Sequence, residues 1–161
     1  MNGDIQIGLL VVAWLAAVRW AGWPERAAAL LMLAAHGLDR YYHWAIGGAG
    51  RYGVVDPGHL TIDLFLLAGF LAIALRADRQ WTLWAAGAQV VAMFSHPVRL
   101  IAGEVAELAY AVMIRAPSYL QTMLIFVGVI FAALRRRRRT PRSAPRWRRS
   151  PATAPERWPS G

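Results

Sequence analysis

Cysteine and lysine are both missing from this 161-residue chain. Without cysteine there is no disulfide and no thiolate metal site, so a bound metal would fall to His, Asp or Glu. Without lysine, all 18 basic residues are arginine. A need for positive charge alone would not exclude lysine everywhere, so this pattern reads first as coding bias. Charge itself is scarce, at 17% of residues against about 25% in an ordinary soluble domain. Ten of the 18 arginines lie beyond Leu134, so the preceding 134 residues are poorer still, and the net charge of +9 belongs mostly to the C-terminal segment. No basic region precedes the first apolar run, so a cleavable signal peptide is not expected. Catalytic motifs are absent as well. There is no Gly-x-Ser-x-Gly and no HExxH spacing, and Ser95-His96 are neighbours rather than a nucleophile and its base. Gly47-Gly48-Ala49-Gly50 lacks the strand-loop-helix setting of a phosphate-binding loop.

What fills the remaining positions is apolar, 57% of the chain. A membrane span needs about 20 mostly apolar residues, roughly 17–25. Five stretches qualify: Ile5 to Gly22, Ala27 to Ile46, His59 to Leu75, Trp81 to Ile101, and Ser118 to Leu134. The expected fold is all-α, a polytopic transmembrane bundle of five spans over residues 1–134. Pro24 and Glu25 suit the first turn of the second helix, and Asp56-Pro57 make an N-cap and first helical residue. Arg115-Ala116-Pro117 interrupts the last apolar stretch. The fifth helix is therefore expected to kink near Pro117, with residues 105–116 as a kinked extension or an interfacial segment. Ala13/Ala17, Ala68/Ala72 and Ala85/Ala88 offer small-residue contacts between helices.

Arginine counts in the short connections set an orientation. The Arg135–Arg139 run holds the C-terminus inside. Five spans then place Arg26, Arg76 and Arg79 inside as well, and the N-terminus and the glycine-rich segment 47–58 outside, where Arg51 is the only basic residue in the connections. Trp14, Trp20, Trp23, Trp81 and Trp84 fall near the inner interface, as in an aromatic belt.

Depth also sorts the polar side chains. His36, Asp39 and His43 share a face of the second helix at i, i+3 and i+7. His59 and Asp63 follow at the start of the third, and Gln89, Ser95, His96 and Arg99 lie in the fourth. Glu104, Glu107, Tyr110 and Arg115 come beyond. All four histidines thus belong to one half of the bundle. An ionisable residue at mid-span costs about 2.5–3.5 kcal/mol on insertion scales, so such groups face one another or a wet cavity. A divalent metal site is one reading, with His43, Asp63 and His96 as ligands and His36 and Asp39 as further candidates. A haem held by His43 or His36 with His96 is another, and a proton or ion pathway a third. Against these stands a plain polar network, in which Arg40 and Arg99 neutralise Asp39, Asp63 and Glu104.

Residues 135–161 hold ten Arg and five Pro without periodicity, a composition expected to be disordered. Arg135, Arg136, Arg137, Arg138 and Arg139 are candidates for anionic lipid headgroups, at about 1 kcal/mol per basic residue near a membrane surface. A stop-transfer role explains the same charges. Nucleic-acid binding is not expected, since no folded platform accompanies them.

The segment Ala74-Leu-Arg-Ala-Asp-Arg-Gln-Trp-Thr-Leu-Trp-Ala-Ala-Gly-Ala-Gln-Val-Val, followed by Ser95-His-Pro-Val-Arg99 and Ala109-Tyr-Ala111, resembles a pattern in small uncharacterised bacterial polytopic membrane proteins. The resemblance covers residues 55–130, leaves out the arginine tail, and implies a bacterial inner membrane with no particular activity. The sequence therefore leads to a small inner-membrane protein, N-terminus outside and C-terminus cytoplasmic. The leading expectation is a non-enzymatic accessory or scaffold component, with membrane lipids and a membrane-protein partner or second copy as partners. The alternative is a metal- or haem-binding protein or small transporter component built on the His/Asp cluster.

Overall fold

Apolar runs broken by short polar turns fold as helices, whose backbone N–H and C=O groups pair within the segment. The computed structural model describes residues 3–46, 56–101 and 107–139. These form five helices: α1 (Gly3–Trp20), α2 (Trp23–Ala45), α3 (Pro57–Arg76), α4 (Gln80–Ile101) and α5 (Glu107–Arg139). No strand occurs among the described residues. Among the described residues, two stretches are long and apolar enough to cross a membrane by length and composition: α3, with mean hydropathy 1.9, and Arg115–Arg138 of α5, with 1.8. The other helices are shorter or more polar; α2, for example, carries Glu25, Arg26, Asp39 and Arg40.

Each helix packs on its neighbour in sequence, α5 closes the ring against α1, and α2 also touches α5. Side chains report the directions. Gln6 Nε2 donates to Thr122 Oγ1 at 3.2 Å, and at the far ends of the same two helices Arg136 Nη1 donates to the Arg19 carbonyl at 2.8 Å. α1 and α5 therefore run parallel, and the other neighbours run antiparallel. The result has two unlike ends. One gathers His43, His59 and His96, with His36 nearer mid-helix; the other gathers Arg19, Arg26, Arg76, Arg79 and the run beginning at Arg135.

Local chemistry sets the helix ends. Asp56 caps α3 by accepting from Gly58 N–H at 2.8 Å, with Pro57 at the first helical position, where its missing N–H is no loss. Glu25, three positions into α2, accepts from Gly22 N–H at 3.1 Å. Arg26 reaches back to the carbonyls of Ala17, Val18 and Ala21, at 3.2, 3.0 and 3.1 Å. With Arg136 on the Arg19 carbonyl, it reaches the last carbonyls of α1, although Ala17 also accepts from the Ala21 N–H at 2.9 Å.

Of the two expectations for residues before Pro117, α5 takes the extension. It is one helix from Glu107 to Arg139 with Pro117 inside it, so residues 107–116 extend the helix. Ser118 Oγ donates to the Arg115 carbonyl at 3.0 Å, supplying a polar partner close to the backbone bond that proline removes. Arg135–Arg139 also belong to α5 rather than to a disordered tail. Arginine is a good helix former, and cations are favoured at a helix C-terminus. The glycine-rich stretch 47–55 and the tail 140–161 lie outside the described residues.

Small residues let the helices approach. Ala13 and Ala17, with Ala28 and Ala29, are fully buried, as is Ala85, around Leu10, Met32, Phe70 and Ile125. Ala68, by contrast, faces outward. The close approach of α3 comes one residue later, where Gly69 meets Leu31. Trp20, Trp23 and Trp84 are exposed, but Trp81 turns inward onto Gly128 and is a core residue, not part of a belt.

Large apolar side chains lie on the outside of the bundle as well as in its core. Val12, Leu15, Leu30, Phe94 and Ile130 are exposed, each by 55–63%. Inside lie Gln6, Glu25, Thr82, Gln89, Gln121 and Thr122, none more than 4% exposed.

Candidate functional site

Two polar clusters occupy the histidine end. The first joins the last turns of α2 to the first turn of α3. Asp39 and His43 are i, i+4 on α2 and share a face; His59 is three residues beyond the α3 cap. His59 Nε2 stands 3.1 Å from Asp39 Oδ1, and its Nδ1 stands 3.1 Å from Asp56 Oδ2. His43 Nε2 lies 3.7 Å from the same Asp39 oxygen, and the two imidazole centroids are 5.1 Å apart. The ligand atoms of Asp39, His43 and His59 all lie within 4.8 Å of one another. Tyr42 supports the group from α2. Its hydroxyl donates to Asp56 Oδ1 at 2.5 Å, and its ring meets His59 edge-on at 5.7 Å. A Cβ at Gly58 would lie 2.3 Å from that ring, so only glycine leaves Tyr42 its place. The Tyr42 bond, helped by the Gly58 amide and His59, holds the Asp56 carboxyl below the usual aspartate range.

The second cluster links α3, α4 and α5. Asp63 Oδ2 faces His96 Nε2 at 2.8 Å. Gln89 Nε2 donates to Asp63 Oδ1 at 3.0 Å and to the Asp63 carbonyl at 3.3 Å. Gln89 Oε1 in turn accepts from Gln121 Nε2 at 2.8 Å, which also reaches the Ala85 carbonyl at 3.2 Å. A continuous hydrogen-bonded line thus runs from His96 into the middle of the bundle.

The ligand candidates His43, Asp63 and His96 are therefore divided between the two clusters: Asp63 and His96 pair with each other, while His43 joins Asp39. His36 lies deeper on α2, with its Nε2 buried and unpaired. His43 and His96 turn their Nε2 atoms to different carboxylates, so they do not face each other as haem ligands would. Arg40 pairs with Asp4 of α1, leaving Asp39 to the histidines. The side chains of Arg99, Glu107 and Tyr110, and all of Glu104, lie outside the described residues. Sequence reasoning placed His59 at the head of α3 without selecting it. The available signal was its spacing from Asp56, because a cap carboxylate three residues before a histidine reaches the ring.

Comparison with known proteins adds no relative: no family model, no curated protein and no solved structure matches this chain.

The Asp56 contacts yield a direct test. Asp56→Ala removes the α3 cap and the acceptor of Tyr42 and is expected to cost about 1–2 kcal/mol. Asp56→Asn keeps an N-cap oxygen and should recover most of that. Equal losses in denaturant unfolding of the two variants would contradict a capping role.

Proposed function

We propose that this chain is a five-span protein of a bacterial inner membrane, a non-enzymatic accessory or scaffold component. The observation that carries the reading is the outer surface: large aliphatic side chains are exposed around the bundle, while Gln6, Glu25, Gln89 and Gln121 are buried inside it. A water-soluble protein rarely leaves so much contiguous apolar surface exposed, whereas intramembrane polar groups normally face the bundle interior. The arginine end is the cytoplasmic side, by the positive-inside rule. Arg135–Arg139 prolong α5 to the membrane surface, where they hold anionic headgroups and resist translocation. The histidine end then faces the periplasm, open to water and to small solutes there.

Fusing a reporter active only in the periplasm tests this. It is expected to be active when inserted within residues 47–55 and inactive at Asp78 or after residue 140. Activity at Asp78, or the same result at all three points, would sink the five-span topology.

A further inference from the structure

We propose that Asp39, His43 and His59 bind a divalent first-row metal ion, coupling the end of α2 to the start of α3.

The argument begins with charge. His59 stands between two carboxylates, with Nδ1 3.1 Å from Asp56 and Nε2 3.1 Å from Asp39. A neutral imidazole has one N–H and one lone pair. One of its nitrogens would therefore face a carboxylate oxygen, lone pair to lone pair. A positive charge is required on that side, and either a second proton or a metal ion supplies it.

The position of His43 favours the ion. Its Nε2 is 3.7 Å from Asp39 Oδ1, beyond hydrogen-bond length. Metal–nitrogen and metal–oxygen bonds of about 2.0–2.1 Å in a tetrahedron set neighbouring ligand atoms about 3.3–3.4 Å apart. The observed 3.1 and 3.7 Å lie on either side of that value, and the third pair lies within 4.8 Å, so binding one ion requires the two imidazoles to rotate toward the Asp39 oxygen.

Support around the ligands fits as well. Metal-bound histidines usually give their other N–H to a carboxylate, which sets tautomer and ring orientation. Asp56 stands in that relation to His59, and is itself held by the Gly58 amide and the Tyr42 hydroxyl. Two imidazoles and one carboxylate suit zinc or a neighbouring first-row ion, whereas calcium and magnesium prefer all-oxygen sites. The side chains of Asp39, His43 and His59 are 37–44% exposed, so a water or an exchangeable ligand takes the fourth position. Three protein ligands with an open position describe a site that exchanges its ion or acts through it, not a closed structural one.

The test uses the full chain, purified in detergent with an affinity tag free of histidine, stripped by chelator and titrated with Zn²⁺ and Co²⁺. One ion per chain is expected, and bound Co²⁺ should show the intense visible bands of a tetrahedral site. Affinity should fall at least about 10-fold in Asp39→Ala, His43→Ala and His59→Ala, and about 10-fold in Asp56→Asn. His96→Ala should bind as the parent does. His43→Ala is the decisive variant, because it breaks no hydrogen bond to Asp39 and should keep the parent's circular dichroism and elution volume. Three outcomes would overturn the proposal: no stoichiometric ion, unchanged affinity in folded His43→Ala, or an equal loss in His96→Ala. Because no outcome depends on orientation in a membrane, a reversed topology would leave the site standing.

Discussion

A Gln89→Leu variant is expected to lose about 2 kcal/mol of stability to unfolding in detergent, although leucine fills nearly the same volume. Gln89 is 2% exposed and serves three partners, the Asp63 carboxylate, the Asp63 carbonyl and Gln121. Leucine orphans an acceptor on one side and a donor on the other, each costing about 1–3 kcal/mol when buried. The low end applies here, since Asp63 keeps His96 and Gln121 keeps the Ala85 carbonyl. Gln121→Leu should cost about half as much. It forfeits bonds to Ala85 and Gln89 but also removes Gln121 Oε1, a buried acceptor with no hydrogen-bond partner. The double variant should be little worse than Gln89→Leu alone, because it leaves no orphan between α4 and α5. Strictly additive losses would show that the two amides are not coupled.

The second large effect is steric. Gly128→Ala is expected to cost about 2 kcal/mol. Its new Cβ would lie 2.8 Å from Trp81 Cε2 and 2.9 Å from Nε1. The indole is rigid and 9% exposed, so relief requires α4 and α5 to move apart. At Gly69 a Cβ would come nearer still, 2.5 Å from Leu31 Cδ2, yet that atom ends a side chain that can rotate. Gly69→Ala should therefore cost less than Gly128→Ala. Gly37 meets nothing within 4 Å, and alanine there should gain up to about 1 kcal/mol from helix propensity. Reducing the indole, as in Trp81→Leu, should make Gly128→Ala tolerable. A stability order with Gly69→Ala below Gly128→Ala would show that the α4–α5 contact yields more easily than the packing implies.

The helices were legible because each apolar run ends in a signal that acts locally. Asp56-Pro57 starts α3 whatever packs against it, and Glu25 serves the start of α2 in the same way. The collection of histidines at one end was legible too, since antiparallel helices of similar length carry residue number directly into depth. The tail boundary was not. The arginine run reads as a solvated segment when composition alone is weighed, yet a helix already formed through Leu134 extends through it without a new nucleation cost.

The sequence by itself determined an all-α fold, with five helices among the described residues and ionisable groups sorted toward opposite ends. These properties follow from hydrophobic run length and turn chemistry, which involve residues near one another in the chain. Only the tertiary structure decided which groups meet: His59 with Asp39 and Asp56, Asp63 with His96 and Gln89, Trp81 with Gly128. Depth along a helix can be counted from sequence, but rotation about its axis is set by packing against its neighbours, and one residue of error turns a side chain by about 100°. For that reason His43 shared a level with Asp63 and His96, and still joined the other cluster.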